Sequence, residues 1–168
     1  MIDAVIFDFG NVLSRFDVEI FIRDIAERTG TPRDHLAFAL KQLTPTIVQY
    51  ESGLISSDEF FERVSHHAGI TVSRRDFREA YCGIFAAIPE TLDLVRHLHS
   101  RDRLGLLSNT NEWHFGCAIQ PLEIFPLFEA VSLSFEVKAM KPAEPPYRDV
   151  LAKLHLPAER CVYIDDVP

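Results

Sequence analysis

Ala4-Val5-Ile6-Phe7-Asp8-Phe9-Gly10-Asn11 is the stretch on which the fold turns. Four consecutive apolar residues with no polar alternation are the pattern of a strand buried on both faces, as in a parallel sheet. Gly10-Asn11 then marks a turn, which places the Asp8 carboxylate at the carboxyl end of the strand. In open α/β sheets, ligands bind at that end.

The same arrangement recurs outward from this point. Leu104-Gly105-Leu106-Leu107 reads as a second buried strand running into Ser108-Asn109-Thr110. A third strand is expected near Ala130 to Leu133, and a fourth, Cys161 to Ile164, ends in Asp165-Asp166. Helices are expected from about Glu90 to His99 and from about Tyr147 to Leu154, the second following the prolines Pro142, Pro145 and Pro146.

Between the first two strands, from about Asp17 to Ser100, the reading is nearly all helix. Ile20, Phe21 and Ile25 share a helical face, and Thr31-Pro32 reads as an N-cap followed by a first-turn proline. Ser56-x-x-Glu59 fits a capping box ahead of Phe60, Phe61 and Val64, and Ser73-x-x-Asp76 repeats the signal before Phe77, Tyr81 and Phe85. A stretch of four helices is too long for a simple crossover. The expected architecture is therefore α/β: a Rossmann-like parallel sheet core over 1–16 and 88–168, with a small helical cap, 17–87, inserted after the first strand.

Composition narrows the function classes. The 168 residues are 47% hydrophobic and 25% charged, a globular balance. A formal net charge of −8 disfavours a nucleic-acid surface, which needs Lys and Arg to replace counterions. No apolar run approaches a spanning helix and no leader-like segment opens the chain, so a cytoplasmic protein with no membrane partner is expected. Cys82, Cys117 and Cys161 are widely spaced and form no C-x-x-C pair, so buried reduced thiols are expected. His66-His67 and His97-x-His99 lack the one-face spacing of helical metal ligands. Oligomeric state is not encoded in any of these features.

The strand ends carry a coherent chemistry. Phosphoryl transfer needs an in-line nucleophile, positive charge on the non-bridging oxygens and support for the departing oxygen. Asp8 is the candidate nucleophile, and a divalent cation would remove the repulsion between carboxylate and phosphate. Magnesium takes oxygen ligands, for which Asp8, the Gly10 carbonyl and Asp166 are candidates, with Asp165 adjacent. Ser108 and Asn109 offer backbone N–H groups to phosphoryl oxygens, and Lys141 offers an ammonium to nucleophile and phosphate together. Taken alone, Asp8 reads as a turn-capping carboxylate and Lys141 as a surface lysine.

Phe7-Asp8-Phe9-Gly10-Asn11-Val12, Leu107-Ser108-Asn109-Thr110, Lys141-Pro142 and Tyr163-Ile164-Asp165-Asp166 resemble, in order and spacing, the four motifs of haloacid dehalogenase-like hydrolases. Gly10-Asn11-Val12 and the stretch Tyr50-Glu51-Ser52-Gly53-Leu54-Ile55-Ser56 are similar to the subgroup containing bacterial α-glucose-1-phosphate phosphatase and the amino-terminal domain of soluble epoxide hydrolase. The resemblance implies a magnesium-dependent phosphohydrolase working through an aspartyl-phosphate on a small phosphorylated metabolite, sugar phosphates included.

Two departures stand against the pattern. Most family phosphatases carry a second Asp, the general acid, where this chain has Gly10, and glycine cannot shuttle a proton. The leaving oxygen is therefore expected to be already acidic, with Asp17 as the nearest substitute acid. The sequence also stops at Pro168, two residues past Asp166, where family members continue with a loop, a helix and an edge strand. A truncated product, or an edge covered by another element or subunit, is the expectation. Two other readings compete: a metal-independent 2-haloacid dehalogenase using the same Asp8, and a catalytically weak binding protein that keeps the fold. Trp113 and His114, just past the second motif, are candidates to line the substrate pocket.

Overall fold

The computed structural model describes residues 2–167, so the chain end at Pro168 lies outside the described residues. β1 (Ala4–Phe7) is followed by β2 (Ser14–Phe16) and five helices: α1 (Val18–Thr29), α2 (Arg33–Gln42), α3 (Thr44–Glu51), α4 (Ser57–Ala68) and α5 (Arg74–Cys82). Then come β3 (Phe85–Ala87), α6 (Pro89–His99), β4 (Arg103–Ser108) and α7 (Glu112–His114), which runs into a π-helical turn over Phe115–Ile119. β5 (Ala130–Leu133), α8 (Ser134–Val137), α9 (Glu144–Leu154) and β6 (Cys161–Ile164) follow.

The main sheet is parallel throughout, in the order β5-β4-β1-β6. From β1 the chain moves outward to β4 and β5, then returns to lay β6 on the opposite side of β1. The chain leaves β1 toward β4 and comes back to β6 on the other side of β1, so the crevice at the carboxyl ends of β1 and β6 is the topological switch point where such sheets bind ligands. The register Phe7↔Ile164 brings the residues after these two strands side by side.

Alternation along β1 explains its unbroken apolar run. Val5 and Phe7 pack with Val95, Leu104, Leu106 and Phe128 on one face, while Ala4 and Ile6 meet Leu107, Val150 and Leu154 on the other. Burying a side chain such as Phe7 stabilises the fold by roughly 1.5–3 kcal/mol. A third cluster, built from Phe21, Ile25, Tyr50, Phe60, Val64 and Phe77, holds the helical cap together. Ser56 and Ser73 cap α4 and α5 as expected, each side chain accepting from a backbone N–H three residues on.

Several expectations are corrected. The insert has five helices rather than four: α3 escaped notice because Leu43 stands at its N-cap position and it lacks the Ser-x-x-acid capping signal that marks α4 and α5. The region read as nearly all helix, about Asp17 to Ser100, also contains β3, which pairs antiparallel with β2 just ahead of that region as Ser14↔Ala87 and Phe16↔Phe85. Thr31 does not cap α2; Pro32 occupies that position, and the Thr31 hydroxyl accepts from Thr29. Cys82 and Cys117 are not separate thiols. They form a disulfide with Cα atoms 6.1 Å apart, because the end of α5 lies against the π-helical turn, and Cys161 is half-buried rather than buried. Among the described residues no helix is long and apolar enough to cross a membrane.

Candidate active site

The strand ends converge as the topology requires. Asp8 follows β1 directly and is fixed by its backbone N–H, which donates to the Ile164 carbonyl at 2.9 Å. Asp165 and Asp166 follow β6. One oxygen from each of the three carboxylates lies within 4.8 Å of the others. This spacing, with oxygen-only donors, suits a hard divalent cation that keeps part of its water shell.

Lys141 reaches into the same cluster. Its Nζ lies 2.9 Å from Asp8 Oδ1 and 2.8 Å from Asp165 Oδ2, and it donates to the Tyr163 hydroxyl at 2.6 Å. The Tyr163 hydroxyl in turn donates to Asp165. Lys141 is held from behind by Asn109, whose Oδ1 accepts from the Lys141 N–H at 2.7 Å and whose Nδ2 donates to the Lys141 carbonyl at 3.1 Å. The Asn109 amide therefore sets the Lys141 backbone, in addition to any contact its N–H makes.

Burial and charge act differently on the two acids beside the ammonium. Burial raises the Asp8 carboxyl above the usual carboxylate range, against the pull of Lys141. Burial also pushes Asp165 up, but donation from Lys141, Tyr163 and the Val167 N–H outweighs it and leaves this acid at about 2. Burial and the adjacent Asp165 drive the Tyr163 hydroxyl well above its ordinary value. Tyr163 therefore stays a donor.

Around this centre the other expected residues take distinct positions. Ser108 is buried at the end of β4, its hydroxyl 3.5 Å from the Asn109 carbonyl. Gly10 lies beside Phe16: a Cβ at residue 10 would come within 3.3 Å of the Phe16 ring. Asn11 adopts a φ of 53°, a left-handed conformation that asparagine tolerates, and its amide donates to Asp166 at 3.0 Å. Asp17 caps α1, accepting from the Glu19 N–H at 2.9 Å. It does not line the cleft that contains Asp8.

That cleft, ≈ 650 Å³, is walled by Asp8, Asn11, Lys141, Tyr163, Asp165 and Asp166. It adjoins a second cavity of ≈ 180 Å³ running beneath the cap, and Gly10, Phe16 and Asn109 line both. His114 lines the inner cavity, whereas Trp113 packs among Tyr50, Phe60 and Tyr81 and lines neither. His114 is stacked on Tyr81 and held neutral, burial pulling it down to about 4.

Sequence reasoning missed Asn11, Phe16, Tyr163 and above all Glu51. Glu51 lines the inner cavity, and burial alone pushes its carboxyl up to about 7. A signal was present, because Glu51 stands four residues after Ile47 and so shares the apolar face of α3.

Comparison with known proteins places the fold in a family. Residues 2–168 match the family model described as haloacid dehalogenase-like hydrolase. A haloacid dehalogenase family enzyme from Bacteroides thetaiotaomicron is 26% identical, with a TM-score of 0.85 over 98% of this chain and 84% of that one. Its complex with magnesium and inorganic phosphate is similar at 25% identity and a TM-score of 0.84, over 99% of this chain and 85% of that one. A HAD-like family hydrolase from Porphyromonas gingivalis is 27% identical, with a TM-score of 0.80 over 100% of this chain and 83% of that one. An L-2-haloacid dehalogenase from Xanthobacter autotrophicus shares the fold at 17% identity and a TM-score of 0.68, over 97% of this chain and 69% of that one. The chain belongs to the haloacid dehalogenase-like hydrolases.

Proposed function

We infer that this hydrolase is a magnesium-dependent phosphatase for a small phosphorylated metabolite. The observation that carries the reading is the approach of Asp8, Asp165 and Asp166 to within 4.8 Å of one another, with the Lys141 ammonium paired to Asp8 and Asp165. The Bacteroides relative, solved with magnesium and inorganic phosphate, supports the same ligand pair.

Asp8, Asp166 and the Gly10 carbonyl would hold magnesium, with Asp165 beside them; when bound, it cancels the repulsion between an attacking carboxylate and an anionic ester. Asp8 attacks phosphorus, forming its own O–P bond as the bond to the leaving oxygen breaks, and water then cleaves the aspartyl-phosphate. Lys141 holds the nucleophile and screens the phosphoryl oxygens. Backbone N–H groups of Ser108 and Asn109 add donors at the end of β4. A 2-haloacid dehalogenase has no need of three converging carboxylates, which weighs toward phosphoryl chemistry.

Phosphate release from p-nitrophenyl phosphate should require magnesium and fall by roughly a thousandfold or more in Asp8→Asn, as for loss of any catalytic nucleophile. Equal activity in that variant, or chloride release from a 2-haloacid in EDTA, would overturn the reading.

A further inference from the structure

The cavity beneath the cap indicates what departs from the phosphorus. Its walls are mostly aromatic and aliphatic, among them Phe9, Phe21, Phe60, Phe77 and Phe85. Most polar groups on those walls are already engaged. Asn109 is bonded at both ends to the Lys141 backbone. His114 has one ring nitrogen against the Tyr81 carbonyl and the other against the Asn111 amide, which also donates to the Tyr81 hydroxyl. Among the described residues, Glu51 and Thr110 line the cavity and have side chains that make no hydrogen bond, the Glu51 carboxyl being desolvated, and no Lys or Arg lines it.

The Glu51 backbone is anchored. Its carbonyl accepts from the Ser134 hydroxyl at 2.6 Å, and that hydroxyl also receives the Thr110 N–H at 2.8 Å, two residues beyond Ser108. The end of α3 is thus tied to the loop that borders the phosphoryl cleft.

A hexose does not suit such walls, since most of its hydroxyls would leave water without a partner. A flat ring does: apolar cavities of about 150 Å³ take up benzene, and this one is ≈ 180 Å³. The leaving oxygen points the same way. Gly10 supplies no acid, and the Phe16 ring lies 3.3 Å from where its Cβ would be. A phenol ionises near a pKa of about 10, as tyrosine does, and departs without a proton donor.

We propose that the site takes a phosphate monoester of a phenol, its ring seated in the inner cavity and one hydrogen-bond donor on the ring received by Glu51. The assignment rests on the phosphatase reading. As the Asp8 O–P bond forms, the aryl oxygen leaves with the electron pair of its bond to phosphorus and takes a proton from water. Glu51 is a specificity residue that acts through binding.

Hydrolysis of phenyl phosphate, 4-(hydroxymethyl)phenyl phosphate and α-glucose 1-phosphate should be compared in the wild type, Glu51→Gln and Glu51→Leu with magnesium. Calorimetric binding of 4-(hydroxymethyl)phenol should be measured on the same proteins. Phenyl phosphate should exceed the sugar phosphate in kcat/KM by roughly tenfold or more, and the hydroxymethyl group should add a further gain. Glu51→Leu should erase that gain by roughly ten- to a hundredfold, through KM, while Glu51→Gln retains most of it. A sugar phosphate turned over as well as phenyl phosphate, or equal losses on both aryl esters in Glu51→Leu, overturns the assignment and leaves the phosphatase intact. No hydrolysis of any ester, but phenol binding that weakens roughly tenfold in Glu51→Leu, upholds the cavity assignment and sinks the phosphatase.

Discussion

Asn109 grips Lys141 by its backbone on both sides, with bonds of 2.7 and 3.1 Å. Asn109→Ala should lower kcat/KM by roughly ten- to a hundredfold, because a residue that orients a functional group matters nearly as much as the group itself. The accompanying stability loss should stay near 1–2 kcal/mol, which steady-state kinetics and urea unfolding would separate. Asn109 was legible as a site residue from the second motif, but its amide bonds were not, since their partner lies 32 residues on in the backbone. Tyr163 was hidden for a related reason: an aromatic residue in an apolar strand reads as core, yet its hydroxyl meets Lys141. Gly10 was legible as a departure, but not the Phe16 ring resting on it. Gly10→Asp combined with Phe16→Ala should raise kcat on alkyl phosphates by roughly tenfold or more, given what a general acid contributes. Phenyl phosphate should gain little. Equal gains on both esters would contradict the reasoning.

The strands of the main sheet proved the easiest elements to read, since β1, β4, β5 and β6 are each short apolar runs bounded by polar or turn residues. β2 and β3 were illegible because three residues each, half-exposed, carry no period, and only their mutual pairing makes them strands. The same limit applies to the junction of α3 and α8. Gly53 has a φ of +60°, and a Cβ there would overlap the Phe135 carbonyl, while Lys138 donates to the Gly53 carbonyl at 2.7 Å. Gly53→Ala should therefore cost roughly 2–4 kcal/mol, combining left-handed strain with overpacking. Urea unfolding would measure it, and a loss below about 0.5 kcal/mol would show that the junction yields freely. The need for glycine at this point is set by an element 82 residues further along the chain, which local pattern does not reveal.

Across the whole molecule, two groups facing the inner cavity pull the pH dependence of stability in opposite directions. Folded Glu51 keeps its proton up to about 7, whereas the unfolded residue releases it near 4.5. The folded state binds more protons between those values, so stability falls as pH rises through that window and is level above it. His114 stays neutral down to about 4 while its unfolded counterpart ionises at 6.5, so its contribution grows over that range and is lost below. Tyr81 and Tyr50, both raised by burial, stay neutral throughout and add no slope. Glu51→Gln should thus gain on the order of 2–3 kcal/mol relative to the wild type between pH 5 and 8. Parallel pH profiles for the two proteins would refute the assignment of the shift to Glu51. The parallel sheet with an inserted helical cap was legible from apolar runs alternating with helices, whereas the order β5-β4-β1-β6 emerges only from pairings between distant strands. The cavity was not legible either, because its walls come from α1 through α5 and from the core together.

Three carboxylates and one ammonium at the switch point leave two negative charges when all are ionised. A phosphate dianion entering alone meets net repulsion, and a doubly charged cation entering alone gives up part of its water shell and brings the centre only to neutrality. Together they complement each other, so their binding must be heterotropically linked, and thermodynamic reciprocity makes the enhancement equal in both directions. Titrating magnesium at fixed inorganic phosphate and phosphate at fixed magnesium should return one common coupling factor, and a factor of one would mean that the two ligands do not share this centre.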